Sequence, residues 1–171
     1  MFADEIYKIT DRLKKQCKST DPFEIADMFG IMVMLRDDFK KLCGLYTVIK
    51  RKRVIILNGN LSENRLKIVL AHEIGHDILH RDMAVNTALQ EFMLYDMSAR
   101  PEYEANMFAA DLLLDDDEIY ELVSVYRYDM EQIASKLCTD INLVGIKIGS
   151  MNYRGYKLTP GLPVKNNFLQ D

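Results

Sequence analysis

The sequence predicts an α+β fold, in which a mainly helical single domain carries a small antiparallel β-sheet packed beside one long helix. Apolar residues recur at helical spacing along most of the chain, and two strand-like runs lie close together between residues 44 and 57. A chain of 171 residues with 49% hydrophobic content can form one real core. We expect the domain to span residues 1–152, with a helical part at 116–152 and an extended or flexible tail at 153–171.

Two helices are predicted at the N-terminus. Between Phe2 and Cys17 the apolar residues fall on one helical face. A second helix should begin at Asp21, a good N-cap residue, with Pro22 in the first helical position, and it should end at Gly30. The second prediction therefore depends on capping chemistry as well as on hydrophobic spacing.

The predicted sheet follows these helices. Ile31–Leu35 is a short strand candidate, and Gly44–Ile49 and Val54–Leu57 indicate two strands of an antiparallel hairpin. Lys50–Arg53 would join them. Four charges in a turn need no partner, so we interpret this run as a solvated hairpin tip rather than a nucleic-acid contact.

The segment His72–His80, with the sequence HEIGHDILH, lies in a predicted long helix. The residues from Leu61 onward show helical spacing, and Asn60 with Glu63 is expected to form a capping box at the start. Gly75 inside the helix costs about 1 kcal/mol relative to alanine. Its presence suggests that another element packs close against the backbone there.

The spacing of His72, Glu73 and His76 is typical of a metal-dependent hydrolase. Residues four apart face the same side of a helix, so both imidazoles can reach one Zn²⁺ ion. Glu73 is placed to take a proton from water at the open position of the metal. So short a pattern also arises by chance, but its place in a long apolar helix favours Zn²⁺ with Glu73 as the general base.

Such a site needs a third protein ligand, and three residues compete for it. A straight helix carries His80 a further turn away from the metal. Glu102 and Glu104 lie on a helix that begins near Pro101 and face different directions, so only one can point at the metal. Asn106 shares a face with Glu102 and could hydrogen-bond a ligand imidazole. This geometry favours Glu102, and Glu104 and His80 remain open as residues that assist the metal site.

The region from 81 to 99 is less regular, with a strand candidate at Glu91–Tyr95 that we expect to form one rim of the cleft. Peptide hydrolysis also requires a group that stabilises the oxyanion. The sequence does not choose among four candidates, which are Tyr95, Arg100, Tyr103 and Arg127.

Three further helices are predicted at Asp116–Tyr126, Met130–Leu137 and Ile141–Met151. The last two could form a helix-turn-helix, but the basic residues nearby are few, so a packing role is favoured over direct nucleic-acid binding. These basic residues are Lys136, Lys147, Arg154 and Lys157.

Composition excludes several classes of protein. A net charge of −4 argues against a general nucleic-acid binder. The N-terminus lacks the features of a signal peptide, and no apolar run approaches membrane-spanning length. Cys17, Cys43 and Cys138 are widely spaced and indicate neither a disulfide framework nor a thiolate zinc site. The expected location is the cytoplasm, without membrane association.

The segments HEIGHDILH at 72–80 and EYEANMFAADLLL at 102–114 resemble the ImmA/IrrE family of metallopeptidases. The resemblance implies a zinc endopeptidase with Glu102 as ligand and Asn106 beside a ligand imidazole. It also implies a protein substrate, typically a helix-turn-helix transcriptional repressor of a prophage or mobile element. We expect the sensory domain of larger members to be missing, since the chain is similar to the short anti-repressor type. Where family members often carry a proline after the Leu-Leu run, this chain has Asp115, which can cap the next helix.

An alternative class stays open, in which the chain is a non-catalytic zinc-containing module that inactivates its repressor by docking. A structural zinc would need a fourth protein ligand, for which His80 and Glu104 are the local donors.

Overall fold

The computed structural model of the chain describes residues 3–84, 89–91 and 99–161. It is mainly helical with one small sheet, which confirms the predicted α+β class. The helices of this part are α1 (Ala3–Cys17), α2 (Pro22–Met28), α3 (Glu63–Leu79), α4 (Arg81–Ala84), α5 (Arg100–Leu113), α6 (Asp116–Ser124), α7 (Met130–Lys136) and α8 (Ile141–Tyr153). The strands are β1 (Met32–Arg36), β2 (Gly44–Ile49), β3 (Lys52–Asn58) and β4 (Leu89–Glu91). Among the described residues, no helix is both long and apolar enough to cross a bilayer.

The sheet has the strand order β1-β3-β2-β4 and is mixed. The hairpin β2–β3 is antiparallel as predicted, and β4 extends it in the antiparallel sense. β1, in contrast, runs parallel to β3, because the chain passes through β2 before β3 returns beside β1. The predicted antiparallel pairing is therefore confirmed for the hairpin, and the parallel strand β1 makes the sheet mixed rather than wholly antiparallel. The strand predicted at Glu91–Tyr95 overlaps β4 at Glu91, and residues 92–98 lie outside the described residues.

The hairpin turn is shorter than predicted. Lys50 and Arg51 both have positive φ, at 49° and 65°, as a two-residue turn of the type that matches the strand twist requires. β3 therefore begins at Lys52, and Arg53 belongs to the strand rather than to a solvated tip.

Capping explains most helix boundaries. Asp21 accepts a hydrogen bond from the backbone N–H of Phe23, as predicted, and Asp115 caps α6 through the N–H groups of its second and third residues. The predicted capping box at Asn60 is wrong. The N-cap of α3 is Ser62, and the Asn60 amide instead donates to a loop carbonyl and a neighbouring side chain before the helix starts.

The long helix α3 contacts β2 and β3 on one side and α5 on another, and α1 and α8 pack on α5 in turn. Gly75 explains the close approach of α3 and α5. A Cβ atom at this position would lie 3.2 Å from the Cα of Ala105 and 3.2 Å from the Cβ of Phe108. The predicted close packing at Gly75 is thus confirmed.

The contact between α5 and α8 contains buried charges. The ammonium group of Lys147 lies 2.9 Å from Asp111 and 2.6 Å from Asp116, and Arg154 forms a second ion pair with Asp116. Ser150 donates a further hydrogen bond to Asp111. Two of the four basic residues considered for nucleic-acid contact therefore face the interior of the domain.

The chain after α8 turns back onto the helical layer. Leu158 is buried and exchanges two hydrogen bonds with the Asn152 side chain, and the N–H of Gly161 donates to the carbonyl of Tyr128. Residues 156–161 form neither helix nor strand. The remainder of the predicted tail, 162–171, lies outside the described residues.

Candidate metal centre

Three side chains from α3 and α5 converge on one point. The Nε2 atoms of His72 and His76 are 3.0 Å apart, and Oε2 of Glu102 lies 3.2 Å from the first and 3.4 Å from the second. Both imidazoles are buried, whereas the Glu102 side chain keeps 21% of its surface exposed. The structure thus brings together the three residues that the sequence selected as a metal-ligating group.

The spacing of these donor atoms fits a zinc ion. Ligands held about 2.1 Å from zinc at tetrahedral angles lie about 3.4 Å from one another. The three observed separations, 3.0, 3.2 and 3.4 Å, are equal to or slightly shorter than that value. Two imidazoles and one carboxylate also form a donor set that zinc hydrolases use, with the fourth position left open.

The first imidazole is oriented by α5. Nδ1 of His72 lies 3.0 Å from Oδ1 of Asn106, which confirms the expectation that Asn106 hydrogen-bonds one of these imidazoles. An amide oxygen only accepts hydrogen bonds, so His72 carries its proton on Nδ1. Its Nε2 lone pair is then available at the centre of the group.

The second imidazole is oriented differently. Nδ1 of His76 lies 3.1 Å from Nδ1 of His80, and Nε2 of His80 lies 3.0 Å from Oε2 of Glu104. Arg100 donates from Nε to the other oxygen of Glu104 at 2.9 Å. His80 and Glu104 are therefore paired with each other, and neither belongs to the group of donor atoms found among the described residues.

The electrostatics favour the protonation states that bind a metal. Burial raises the pKa of the Glu102 carboxyl, but the hydrogen bonds with His72 and His76 outweigh it and hold this pKa well below its ordinary value. Burial lowers the pKa of the His76 imidazole, against the opposing effect of Glu102. A carboxylate and a neutral imidazole are the forms that coordinate zinc.

Glu73 projects from α3 toward the sheet and is fully buried. It faces the start of β2, where a Cβ atom on Gly44 would lie 2.5 Å from Oε1 of Glu73 and 2.5 Å from Cγ1 of Val69. Only glycine leaves space for the carboxylate at this position. Sequence reasoning missed this role of Gly44. The available signal was a glycine at the first position of a strand, where another group can approach the backbone closely.

A second feature that sequence reasoning did not identify is the set of hydrogen-bond partners around Asp77, the residue after His76. The Tyr46 hydroxyl donates to its Oδ1 at 2.6 Å, and Arg53 and Arg81 donate to its Oδ2 at 3.0 and 3.1 Å. Arg53 also donates to the backbone carbonyl of Phe29. The interpretation of Arg53 as part of a solvated tip is therefore wrong, because it ties the sheet to α3. A carboxylate inside a buried helical run was the available signal, since a buried charge needs partners.

The four oxyanion candidates have different surroundings. Tyr95 lies outside the described residues, and Arg100 is paired with Glu104. Tyr103 is 44% exposed and lines a groove of about 560 Å³ together with Gly149 and Tyr153, and Arg127 is exposed before α7.

Comparison with known proteins is consistent with this geometry. The family described as the IrrE N-terminal-like domain matches residues 26–154. The chain is similar to the uncharacterized immunity region protein 2 of Bacillus phage phi105, with 35% identity over 105 residues that cover 61% of this chain and 65% of the phage protein, just under two thirds of it. It is also similar to the metallopeptidase ImmA of Bacillus subtilis strain 168, with 29% identity over 140 residues that cover 78% of this chain and 80% of that protein.

Proposed function

The chain belongs to the ImmA/IrrE family of metallopeptidases, and from that premise we propose that it is a zinc-dependent endopeptidase that cleaves a protein substrate. The observation that carries the proposal is the convergence of His72, His76 and Glu102, with Glu73 next to the first ligand on the same helix. In this arrangement the three residues hold Zn²⁺.

The number of donors favours catalysis over a structural role. Three protein ligands leave one position for water and substrate, whereas a structural zinc is closed by a fourth protein ligand. The two residues that could have closed it, His80 and Glu104, lie 3.0 Å apart in a hydrogen bond with each other. The partial exposure of Glu102 supports access to the site from solvent.

The chemistry divides between the metal and Glu73. When bound, zinc supplies a Lewis acid that polarises the scissile carbonyl and makes water more acidic. The Glu73 carboxylate accepts a proton from the water molecule whose oxygen attacks the carbonyl carbon. As the C–N bond breaks, Glu73 returns that proton to the leaving amine. His72 and His76 keep their orientation through the bonds at their Nδ1 atoms.

We further propose that the substrate is a helix-turn-helix repressor of a prophage or mobile element, cleaved in the cytoplasm so that the element's genes are expressed. The names of the two relatives support this proposal. One is an immunity region protein of a phage and the other a metallopeptidase. The ion pairs of Lys147 and Arg154 with buried carboxylates leave these two basic side chains unavailable to nucleic acid, which agrees with a protein substrate.

Glu73→Gln provides the test, because it removes the base and keeps the shape and the metal ligands. The zinc-loaded chain is incubated with a helix-turn-helix repressor from the genetic element that carries its gene, and the products are analysed by mass spectrometry. We expect specific cleavage by wild type and a rate lowered at least about a hundredfold in Glu73→Gln, with zinc retained. Glu63→Gln, an exposed change on the same helix, is the matched control.

Equal cleavage by wild type and Glu73→Gln would contradict the proposed role of Glu73. If both proteins release the repressor from its operator without cutting it, the docking alternative is correct.

A further inference from the structure

A chain of hydrogen bonds runs from the metal centre to the protein surface through two residues that the proposed chemistry does not use. It passes from His76 to His80, on to Glu104 and then to Arg100, with heavy-atom separations of 3.1, 3.0 and 2.9 Å. His80 and Glu104 are 8% and 6% exposed, whereas the Arg100 side chain is largely exposed. The buried part of this series of hydrogen bonds therefore begins at Nδ1 of the second imidazole.

When both imidazoles are neutral, the chemistry of the groups sets the direction of each hydrogen bond in this series. A carboxylate only accepts hydrogen bonds, so Nε2 of His80 donates to Glu104. In a neutral imidazole the other nitrogen is then an acceptor, and Nδ1 of His80 accepts from Nδ1 of His76. His76 is thereby left with a lone pair on Nε2, the atom that faces His72 and Glu102.

We propose that His80 and Glu104 are positioning residues, which fix the tautomer and ring orientation of His76 and so raise the zinc affinity of the site. The inference rests on the proposed function, since it assumes that His76 binds zinc through Nε2. The two residues act through His76 and do not contact the metal.

The two metal-binding imidazoles differ in how they are held. His72 has a neutral amide, Asn106, at its Nδ1 atom, whereas the bonds behind His76 end in a carboxylate. A carboxylate that hydrogen-bonds a ligating histidine increases its basicity as well as fixing its orientation, and Glu104 acts on His76 in the same sense through the intervening ring of His80. His76 should therefore be the more strongly electron-donating ligand, and its partners should have a measurable effect on binding.

The test compares two substitutions of His80 in the full chain. His80→Phe keeps a ring and removes the acceptor, and His80→Asn keeps an oxygen near the place of Nδ1. Zinc affinity is measured by competition with a chromophoric chelator. We expect His80→Phe to weaken zinc binding about ten- to a hundredfold and His80→Asn to restore part of this loss, because Asn supplies the acceptor but not the link to Glu104. Asp82→Asn, an exposed change two residues further on, should bind like wild type.

The tautomer of His80 can be measured in the wild-type protein, so this second test does not require any variant to fold. In the zinc-loaded wild-type chain, imidazole ¹⁵N chemical shifts should show His80 protonated on Nε2 alone. Protonation on Nδ1 would overturn the proposal, and so would wild-type zinc affinity in a folded His80→Phe protein. If the wild-type chain binds no zinc, the metal site itself is wrong and the role of His80 is overturned with it.

Discussion

The Nδ1 atom of His72 lies 3.0 Å from the Oδ1 atom of Asn106, so a hydrogen bond between α3 and α5 orients an imidazole at the candidate metal centre. The helix that supplies this bond also supplies Glu102, four residues earlier and on the same face. The relative position of the two helices therefore fixes two features of the site at once. The close contact at Gly75 maintains this position.

Removal of the Asn106 oxygen should weaken metal binding without changing the ligands. For Asn106→Ala we expect zinc affinity to fall about ten- to a hundredfold, because His72 loses the bond that fixes its tautomer. Asn106→Asp keeps an acceptor oxygen at the same place and should stay closer to wild type. Competition with a chelator measures both, and equal affinity in wild type and Asn106→Ala would contradict this role.

Gly44→Ala should move the carboxylate of Glu73. The added methyl group would lie 2.5 Å from both Glu73 and Val69, so both side chains must shift. We expect cleavage to slow about a hundredfold while zinc content stays at the wild-type level, because the base moves and the ligands do not. The matched control is Gly149→Ala, where a Cβ atom meets nothing within 4 Å. Unchanged cleavage by Gly44→Ala would show that the carboxylate tolerates the displacement.

Asp77→Ala tests the connection between the sheet and α3. The substitution leaves Arg53 and the Tyr46 hydroxyl without their buried acceptor. Loss of one partner from such a set costs about 3 kcal/mol in the free energy of unfolding. Urea denaturation measures it, with the exposed Asp82→Ala as control, which should change stability by less than about 0.5 kcal/mol. A loss as small as that of the control would mean that the bonds to Asp77 add little to stability.

Asp116 should make the stability of the helical layer depend on pH in the acid range. Burial raises the pKa of its carboxyl, but the hydrogen bonds from Arg154 and Lys147 prevail and lower the pKa to about 2. The Asp116 carboxyl group thus binds a proton less tightly in the folded chain than in the unfolded chain. Its contribution, about 2 kcal/mol, is complete above about pH 4 and is lost as the pH falls toward 2.

The corresponding measurement is urea unfolding of wild type and Asp116→Asn between pH 2 and pH 6, with a chelator present so that metal release plays no part. The difference between the two proteins should be largest at pH 6 and should shrink below pH 4. The exposed Asp117→Asn serves as control. A difference that is constant across this range would contradict the lowered pKa of Asp116.

Much of the candidate site could be predicted because its geometry is local. The His72 and His76 pair follows from helical periodicity alone, and so does the shared face of Glu102 and Asn106. The choice of Glu102 over Glu104 also follows from direction on one helix. The structure adds the approach of α5 to α3, which no single segment encodes.

What could not be predicted depends on contacts between distant segments. The partners of Asp77 come from β2, β3 and the start of α4, and nothing in the local sequence of Arg53 distinguishes it from the charges of a turn. The parallel placement of β1 also depends on distant segments, since strand pairing follows the path of the chain and not the residue pattern within one strand. Lys147 appears as a basic surface residue until the positions of Asp111 and Asp116 are known.

The metal content of the purified chain shows whether His72, His76 and Glu102 hold a zinc ion. It is measured by mass spectrometry for wild type, His72→Ala and Glu102→Ala after exposure to zinc and removal of the excess. We expect about one zinc per wild-type chain and its loss from both folded variants. A folded wild-type chain without zinc, or variants that keep it, would contradict the assignment of these three ligands.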